Sequence, residues 1–230
     1  LLGYFLLPWL NWDGRQAVLF DLPARKFHIL GLTFWPQDFP LLAFLLIIAA
    51  FSLFAVTVVA GRIWCGYTCP QTVWTSIFMF LEQKTEGSRN QRIKRDQGPW
   101  TADKAMRKCL KHGSWLFVAF ATGMTFVGYF YPIKDLAYEL GTFSTGPWQF
   151  SWTVFFTCAT YINAGWMREQ VCKYMCPYAR FQSVMFDQDT LIVSYDPRRG
   201  EARGSRKRGA DYRADGLGDC IDCELCVQVC

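Results

Sequence analysis

The chain has 230 residues, of which 52% are hydrophobic and 17% aromatic, and its formal net charge at pH 7 is +5. Uncharged segments alternate with basic ones, a pattern more typical of membrane proteins, whose basic loops face anionic lipid, than of nucleic-acid-binding proteins. No nucleotide-binding fingerprint and no hydrolase nucleophile motif is present. The chain begins without methionine and ends on a cysteine, so we expect a fragment of a longer protein.

Three uncharged segments, 39–61, 113–133 and 140–167, are long enough to cross a membrane as helices. Each exceeds the roughly 18 residues that a helix needs to cross the hydrocarbon core. We predict spans at 39–61, 113–133 and 147–167, after a truncated span at 1–12 that lacks the basic start and cleavage site of a signal peptide. The predicted fold is mostly α, a polytopic membrane domain over 1–194 with about four spans arranged as two repeated hairpins.

The segments between the predicted spans differ in basic content. Residues 82–112 contain nine lysines and arginines and residues 168–213 contain ten, whereas 13–38 contain three and 132–147 contain one. Basic residues concentrate in cytoplasmic loops. We therefore predict a multi-pass protein with the two basic segments on the cytoplasmic side, and we interpret 13–38 and 86–100 as loops.

Two C-x3-C-P motifs, at 65–70 and 172–177, each follow a predicted span. Their cysteines are Cys65 and Cys69 in the first motif and Cys172 and Cys176 in the second. Residues 65–80 align with 172–187 without gaps at an offset of 107. We interpret this as the internal duplication of a helical hairpin, whose packing would bring the two cysteine pairs together.

The spacing and the proline indicate the chemistry of these four cysteines, called here the cysteine quartet. Residues four apart lie on one face of a helix, so a pair of sulfurs can bind one metal ion. Proline favours a helix that starts directly after Cys69 and Cys176, where the helix N-terminus stabilises a thiolate. Thiolates bind soft Cu(I) or an iron–sulfur cluster, and we assign catalytic and metal-binding roles to the quartet. Buried structural cysteines are the alternative.

Other polar candidates have plainer interpretations. His28 and His112 are predicted on opposite faces of the membrane, so they cannot bind one haem together. Asn163 and Arg168 precede the second motif and are either functional polar groups or ordinary residues of the membrane interface. Cys109 and Cys158 lie outside the motifs and the ferredoxin run and have no second cysteine at a ligand-like spacing, so we interpret them as packing residues.

The chain ends in the ferredoxin run GDCIDCELCVQVC. Its Cys220, Cys223, Cys226 and Cys230 have the C-x2-C-x2-C-x3-C spacing of bacterial ferredoxins, in which the fourth cysteine binds a second [4Fe–4S] cluster. We predict a truncated ferredoxin-type domain at 220–230 behind a flexible basic linker at 195–219, with two clusters in the full-length protein. Zinc is the weaker alternative, because zinc sites usually pair two C-x2-C units across a longer gap.

Several long stretches also carry a family resemblance. They include NWDGRQAVLFDLPARKFHILGLTFWPQDF, GRIWCGYTCPQTVWTSIFMFLEQKTEG and KHGSWLFVAFATGMTFVGYF, together with the second motif and the ferredoxin run. These stretches resemble the cytochrome c oxidase accessory protein family of the CcoG, FixG and RdxA type. The resemblance implies a polyferredoxin of the bacterial inner membrane that supports assembly of cbb3-type oxidases by reducing copper, its substrate, from Cu(II) to Cu(I). The partners it implies are a cytoplasmic electron donor, oxidase assembly factors and membrane lipid, but no nucleic acid.

Three functional hypotheses fit these patterns. In the first, [4Fe–4S] clusters pass electrons to copper at the cysteine quartet, which makes the protein a cupric reductase. In the second, the protein is a membrane ferredoxin subunit that oxidises quinol and feeds a periplasmic reductase. In the third, from another class, it is a copper-binding assembly scaffold in which no electron moves. Copper and a cluster both stay open as occupants of the quartet.

Overall fold

The computed structural model describes residues 1–187, 189–191, 198, 202–204, 211 and 214–221, and these are mostly helical, as predicted. The helices are α1 (Leu2–Leu6), α2 (Phe39–Ala60), α3 (Pro70–Glu86), α4 (Arg89–Gln97), α5 (Ala102–Val127), α6 (Ile133–Thr142), α7 (Pro147–Thr160) and α8 (Pro177–Met185). Three π-helical turns lie at Trp64–Thr68, Tyr161–Met167 and Val171–Met175. The strands are β1 (Asn11–Trp12), β2 (Arg15–Gln16), β3 (Val18–Asp21), β4 (Lys26–Ile29) and β5 (Leu32–Phe34).

The segment 13–38, interpreted above as a loop, contains most of these strands, so that interpretation is wrong. β3, β4 and β5 form an antiparallel meander in which Val18 pairs with Ile29 and Phe27 with Phe34. It contains Val18, Ile29 and three phenylalanines, and β-branched and aromatic residues suit a pleated surface. The Phe20 N–H donates to the Tyr129 carbonyl at 2.7 Å, which ties the meander to the turn that follows α5.

The polar segment 86–100 is also not a loop, because α4 lies within it. A capping box starts this helix: the Ser88 N–H donates to the Gln91 side-chain oxygen at 3.1 Å. The Ser-x-x-Gln pattern is a known helix start, and the high polarity of the segment obscured it. The Arg95 guanidinium donates to the Glu86 carbonyl at 2.7 Å, so α4 packs back on the end of α3.

The helices lie close to the predicted spans but differ from them in their bounds. Among the described residues, Pro36–Ala60 is the one helix long and apolar enough to cross a membrane, with a mean hydropathy of 2.8. In place of the span predicted at 113–133, α5 begins eleven residues earlier, in charged sequence, and ends at Val127. Residues 147–167 are covered by α7 and the π-helical turn that continues it.

The core lies where α3, α5 and the π-helical turn Tyr161–Met167 meet. Phe78, Trp115, Ala119 and Ala164 are all buried there. The Phe78 and Trp115 rings stack with their centroids 5.4 Å apart, and the Trp115 indole N–H donates to the Phe78 carbonyl at 3.0 Å. Buried aromatic side chains contribute large apolar areas, and the indole hydrogen bond satisfies the one polar atom of Trp115.

α5 and α7 approach each other closely at Gly123. A Cβ added at this glycine would lie 2.9 Å from the Thr153 carbonyl oxygen and 2.9 Å from the Thr157 nitrogen, both backbone atoms of α7. Backbone atoms cannot move aside as the end of a flexible side chain can. The absence of a side chain at Gly123 therefore sets the separation of the two helices.

This close approach predicts opposite effects for the same substitution at two glycines of α5. Gly123→Ala should lower the free energy of unfolding by roughly 1–3 kcal/mol, because the added methyl group meets the α7 backbone. Gly113→Ala meets nothing within 4 Å and should raise it by up to about 1 kcal/mol through helix propensity. Unfolding of both variants in one detergent measures the difference, and a Gly123 variant as stable as the Gly113 variant would contradict the close packing.

Candidate functional site

The two C-x3-C-P motifs have the same backbone conformation. Each forms a π-helical turn that closes with a hydrogen bond across five residues. The bonds run from the Cys69 N–H to the Trp64 carbonyl and from the Cys176 N–H to the Val171 carbonyl, and both measure 2.9 Å. α3 and α8 begin at the prolines that follow. The predicted helix starts are confirmed, and the duplication seen in the sequence extends to the backbone.

The π-helical turns correct one detail of the expected geometry. Within each pair, the first cysteine lies in the turn and the second is the residue before the next helix, with ψ of 125° at Cys69 and 110° at Cys176. The two sulfurs of a pair therefore do not share one face of a continuous α-helix. Single π-helical turns are frequent at functional sites, because they widen the helix locally.

Each helix that follows a motif packs against the other repeat. α3 lies against the π-helical turn Tyr161–Met167, and α8 lies against α2. The Gln71 side-chain amide of α3 donates to the Asn163 carbonyl at 2.8 Å, and the Tyr178 hydroxyl of α8 hydrogen-bonds the Thr57 hydroxyl of α2. Through these contacts, the helix that follows each motif is joined to the other repeat.

The four thiols of the cysteine quartet are half-buried and free. Burial raises the pKa of the Cys65 thiol, and Cys69, Cys172 and Cys176 raise it further. Burial also raises the pKa of Cys172, followed by the effects of Cys69 and Cys176. The pKa of the first cysteine in each motif is therefore raised by cysteines of the other motif. Because neighbouring thiolates repel one another, a bound cation would favour their deprotonation together.

The donor set fits a soft metal, although the thiols are not in a ligand arrangement. Four sulfurs are suited to Cu(I) or to an iron–sulfur cluster. In the part of the chain that the structure describes, no three His, Cys, Asp or Glu side chains are placed as ligands of one ion. The quartet is therefore a site of the right chemistry whose metal binding stays a prediction.

Most of the predicted ferredoxin-type domain lies outside the described residues. Cys220 is described and half-buried, whereas Cys223, Cys226 and Cys230 are not among the described residues. The Gly204 N–H donates to the Cys220 carbonyl at 3.4 Å. This contact joins part of the linker predicted at 195–219 to the start of the ferredoxin run.

A buried carboxylate links the second motif to the helical core. Glu82 on α3 is 7% exposed. Its oxygens lie 2.8 Å from Arg168 Nη2, 2.6 Å from Arg92 Nη1 and 3.7 Å from Lys111 Nζ. Burial alone would raise the pKa of Glu82, but the guanidinium groups of Arg168 and Arg92 outweigh it and hold the pKa below its usual range.

Arg168 therefore has a structural role that the sequence left open. Its guanidinium pairs with Glu82 and lies over the Trp115 ring, 5.7 Å from the centroid. His112 is placed nearby, with Nδ1 2.8 Å from the Tyr161 hydroxyl. The His112 ring also lies edge-on to Trp115, with the ring centroids 5.3 Å apart, so both Arg168 and His112 contact this core residue.

Sequence reasoning missed Glu82, Gln71 and Gln182. Gln71 and Gln182 lie inside the aligned repeats, but the positions aligned with them are Tyr178 and Thr75, so identity between the repeats gives no signal. Glu82 lies beyond the aligned stretch. A search for single acidic residues at the end of an apolar helix face could have found it.

Two family models match the chain. The model described as "4Fe-4S binding domain" matches residues 42–85, which contain Cys65 and Cys69. The model described as "4Fe-4S dicluster domain" matches residues 167–230, which contain Cys172, Cys176 and the ferredoxin run. Each match takes in one C-x3-C-P motif, so the chain carries iron–sulfur binding domains in both repeats.

Three curated relatives are similar over 99% of this chain. The nitrogen fixation protein FixG of Rhizobium meliloti is 42% identical over 232 residues. Proteins RdxA and RdxB of Cereibacter sphaeroides are 43% and 41% identical over 234 and 232 residues. The chain spans 44%, 48% and 48% of these three proteins, less than half of each. No solved structure matches the chain significantly.

The charge cluster predicts a pH-dependent loss of stability. The folded-state pKa of Glu82 is depressed, so its contribution is complete above the unfolded value of about 4.3 and is lost as the pH falls through the folded value. Glu82→Gln should lower the free energy of unfolding at pH 7 by about 2 kcal/mol or more, since it leaves Arg168 and Arg92 without a carboxylate.

Unfolding of wild type and Glu82→Gln between pH 7 and pH 3 measures this effect. The difference in the free energy of unfolding between the two proteins should decrease as the pH falls. Asp103→Asn is a matched control, because its pair with Arg107 is solvent-exposed and surface pairs contribute little. A difference for Glu82→Gln that stays constant with pH would contradict the assignment.

Proposed function

We propose that this chain, which belongs to the FixG/RdxA family, is the iron–sulfur electron-transfer part of a membrane protein that supports assembly of a cbb3-type cytochrome c oxidase. Its reaction is the one-electron reduction of Cu(II) to Cu(I) at the cysteine quartet. One observation carries this proposal: the Cys65 thiol of the first motif donates a hydrogen bond to the Gln182 side chain of the second repeat, so the two repeats meet at these cysteines. A chain with 4Fe–4S binding domains supplies the redox context.

The proposal places the protein in the bacterial inner membrane as a multi-pass protein. Its support is the apolar helix Pro36–Ala60: only 6% of its most apolar 18-residue stretch is buried within the protein, as suits a helix surrounded by lipid. The basic residues of 82–112 and 168–213 favour a cytoplasmic position for the motifs and the ferredoxin run. An electron donor in the cytoplasm could then reach them.

The cysteine quartet has the chemistry that copper reduction needs. Thiolate sulfur is a soft ligand and stabilises Cu(I) relative to Cu(II), so binding at these residues favours the reduced ion. The positive charge of the ion offsets the repulsion between the four thiolates. A bound [4Fe–4S] cluster would supply the single electron that each Cu(II) ion takes up. The quartet binds and orients the substrate, and its partial burial limits the access of water.

A second occupant of the quartet is favoured by one specific observation. The family model for a 4Fe-4S binding domain matches residues 42–85, and the cysteines of that stretch are Cys65 and Cys69 alone. With Cys172 and Cys176 they make four thiols, the number that a [4Fe–4S] cluster requires. In this candidate function the quartet is an electron relay, and the same relay would serve a subunit that oxidises quinol.

Loss of one cysteine from each motif should separate copper reduction from the ferredoxin run. We expect Cys65→Ser with Cys172→Ser to abolish Cu(II) reduction by the full-length protein, while the electron paramagnetic resonance (EPR) signal of the ferredoxin clusters persists. Cys109→Ser is the control, since Cys109 is exposed and outside the motifs. Copper reduction at the wild-type rate in the double variant would exclude the quartet as the copper site.

Metal analysis of the same proteins distinguishes the two occupants. If copper binds at the quartet, the double variant should lose bound copper and keep its iron. If a cluster binds there, the variant should lose about four iron atoms per chain. The first result supports the proposal of a copper site, and the second replaces it with the relay.

A further inference from the structure

Gly61, the last residue of the span predicted at 39–61, and Arg168, the first residue after the span predicted at 147–167, have the same unusual backbone conformation. Gly61 has φ of 57° and ψ of −114°, and Arg168 has φ of 43° and ψ of −113°. They are 107 residues apart, which is the offset of the repeats, and each lies four residues before the first cysteine of its motif. A positive φ is open to glycine but strained for arginine. We call these two positions the corners.

A glutamine from the opposite repeat binds the carbonyl of each corner. The Gln182 amide of α8 donates to the Gly61 carbonyl at 3.0 Å. The Gln71 amide of α3 donates to the Arg168 carbonyl at 3.1 Å and to the Asn163 carbonyl at 2.8 Å. The two contacts are reciprocal, since each repeat contributes one corner and one glutamine.

Each glutamine also lies close to the cysteines of a motif. Gln71 is the second residue after Cys69. Gln182 is 2% exposed, and its side-chain oxygen accepts a hydrogen bond from the Cys65 thiol with a sulfur-to-oxygen distance of 3.7 Å. The same side chain thus contacts the corner and the first cysteine of the opposite repeat.

At the second corner, Arg168 has a backbone conformation that glycine adopts more readily. The Arg168 guanidinium pairs with Glu82 at 2.8 Å, so a contact to α3 holds this corner in addition to the Gln71 hydrogen bonds. Strained backbone persists where the surrounding structure over-determines it, and it concentrates at functional sites. The contacts at both corners therefore help to hold the C-x3-C turns in place.

We propose that Gln71 and Gln182 are positioning residues that fix the separation of the two C-x3-C turns through the opposite corners. The consequence of this positioning, a four-sulfur site assembled from two repeats, rests on the proposed function. The separation itself can be measured without copper.

Pulsed EPR between two nitroxide labels in the full-length protein measures the separation. The labels are attached to a ketone-bearing amino acid at positions 66 and 173, equivalent exposed positions in the two turns, so that the free thiols of the quartet do not react with them. We expect a narrow distance distribution, and about a fivefold fall in the population at that distance for Gln71→Leu or Gln182→Leu, because each loses its hydrogen bonds to the corner.

Further variants keep the test decisive. Gln83→Leu changes an exposed glutamine of α3 and should leave the distance distribution as in wild type. Gln71→Glu and Gln182→Glu keep the side-chain size and lose the amide donor, so each should reproduce the effect of leucine even where leucine impairs folding. A double variant, Gln71→Leu with Gln182→Leu, that keeps the wild-type distribution would overturn the proposal.

Copper assays on the same variants separate this inference from the proposed function. If both hold, the half-saturating Cu(II) concentration should rise about fivefold in each glutamine variant, with a smaller change in maximal rate. A wild-type protein that reduces no copper would overturn the copper function, and the distance measurement would still decide the role of the glutamines.

Discussion

The carboxylate of Glu82 is the contact on which the relative position of the two repeats depends. A carboxylate buried to this degree is tolerated only when cations surround it, because desolvation of an unpaired charge is costly. Its partners come from different parts of the chain: Arg92 from α4, Lys111 from α5 and Arg168 from the corner before the second motif. One buried charge therefore brings two helices and the second repeat to α3. The stacked Phe78 and Trp115 rings provide the apolar contact between α3 and α5.

The C-x3-C spacing follows from the local backbone. A π-helical turn closes across five residues, and in both motifs that closing hydrogen bond ends on the N–H of the second cysteine. Proline then starts a new helix without needing a donor of its own. Three intervening residues are what place one cysteine inside the turn and the other at the helix start. The proline and the spacing thus together determine the direction in which α3 and α8 extend from the motifs.

The parts of the structure that could be predicted from the sequence are those with a local cause. The apolar run of α2 and the helix starts after Cys69 and Cys176 have such a cause, and the repeat at an offset of 107 is visible when the two stretches are compared directly. The meander was missed because its strands are short and attach through backbone contacts such as that of Phe20. α4 was missed because polarity outweighed its capping box. The partners of Glu82 could not be predicted, because they are distant in the chain and meet only after α3 and α5 pack.

The exchange of helices between the repeats has a consequence for the origin of the molecule. Since α3 packs on the π-helical turn Tyr161–Met167 of the second repeat and α8 packs on α2 of the first, neither hairpin holds a complete set of contacts for its own cysteines. An ancestor with a single hairpin would have needed a second copy of itself, related by a two-fold axis, to build the same arrangement. Gene fusion would have preserved that dimer within one chain. Once the two copies were joined, their corners could diverge, and one now carries glycine and the other arginine.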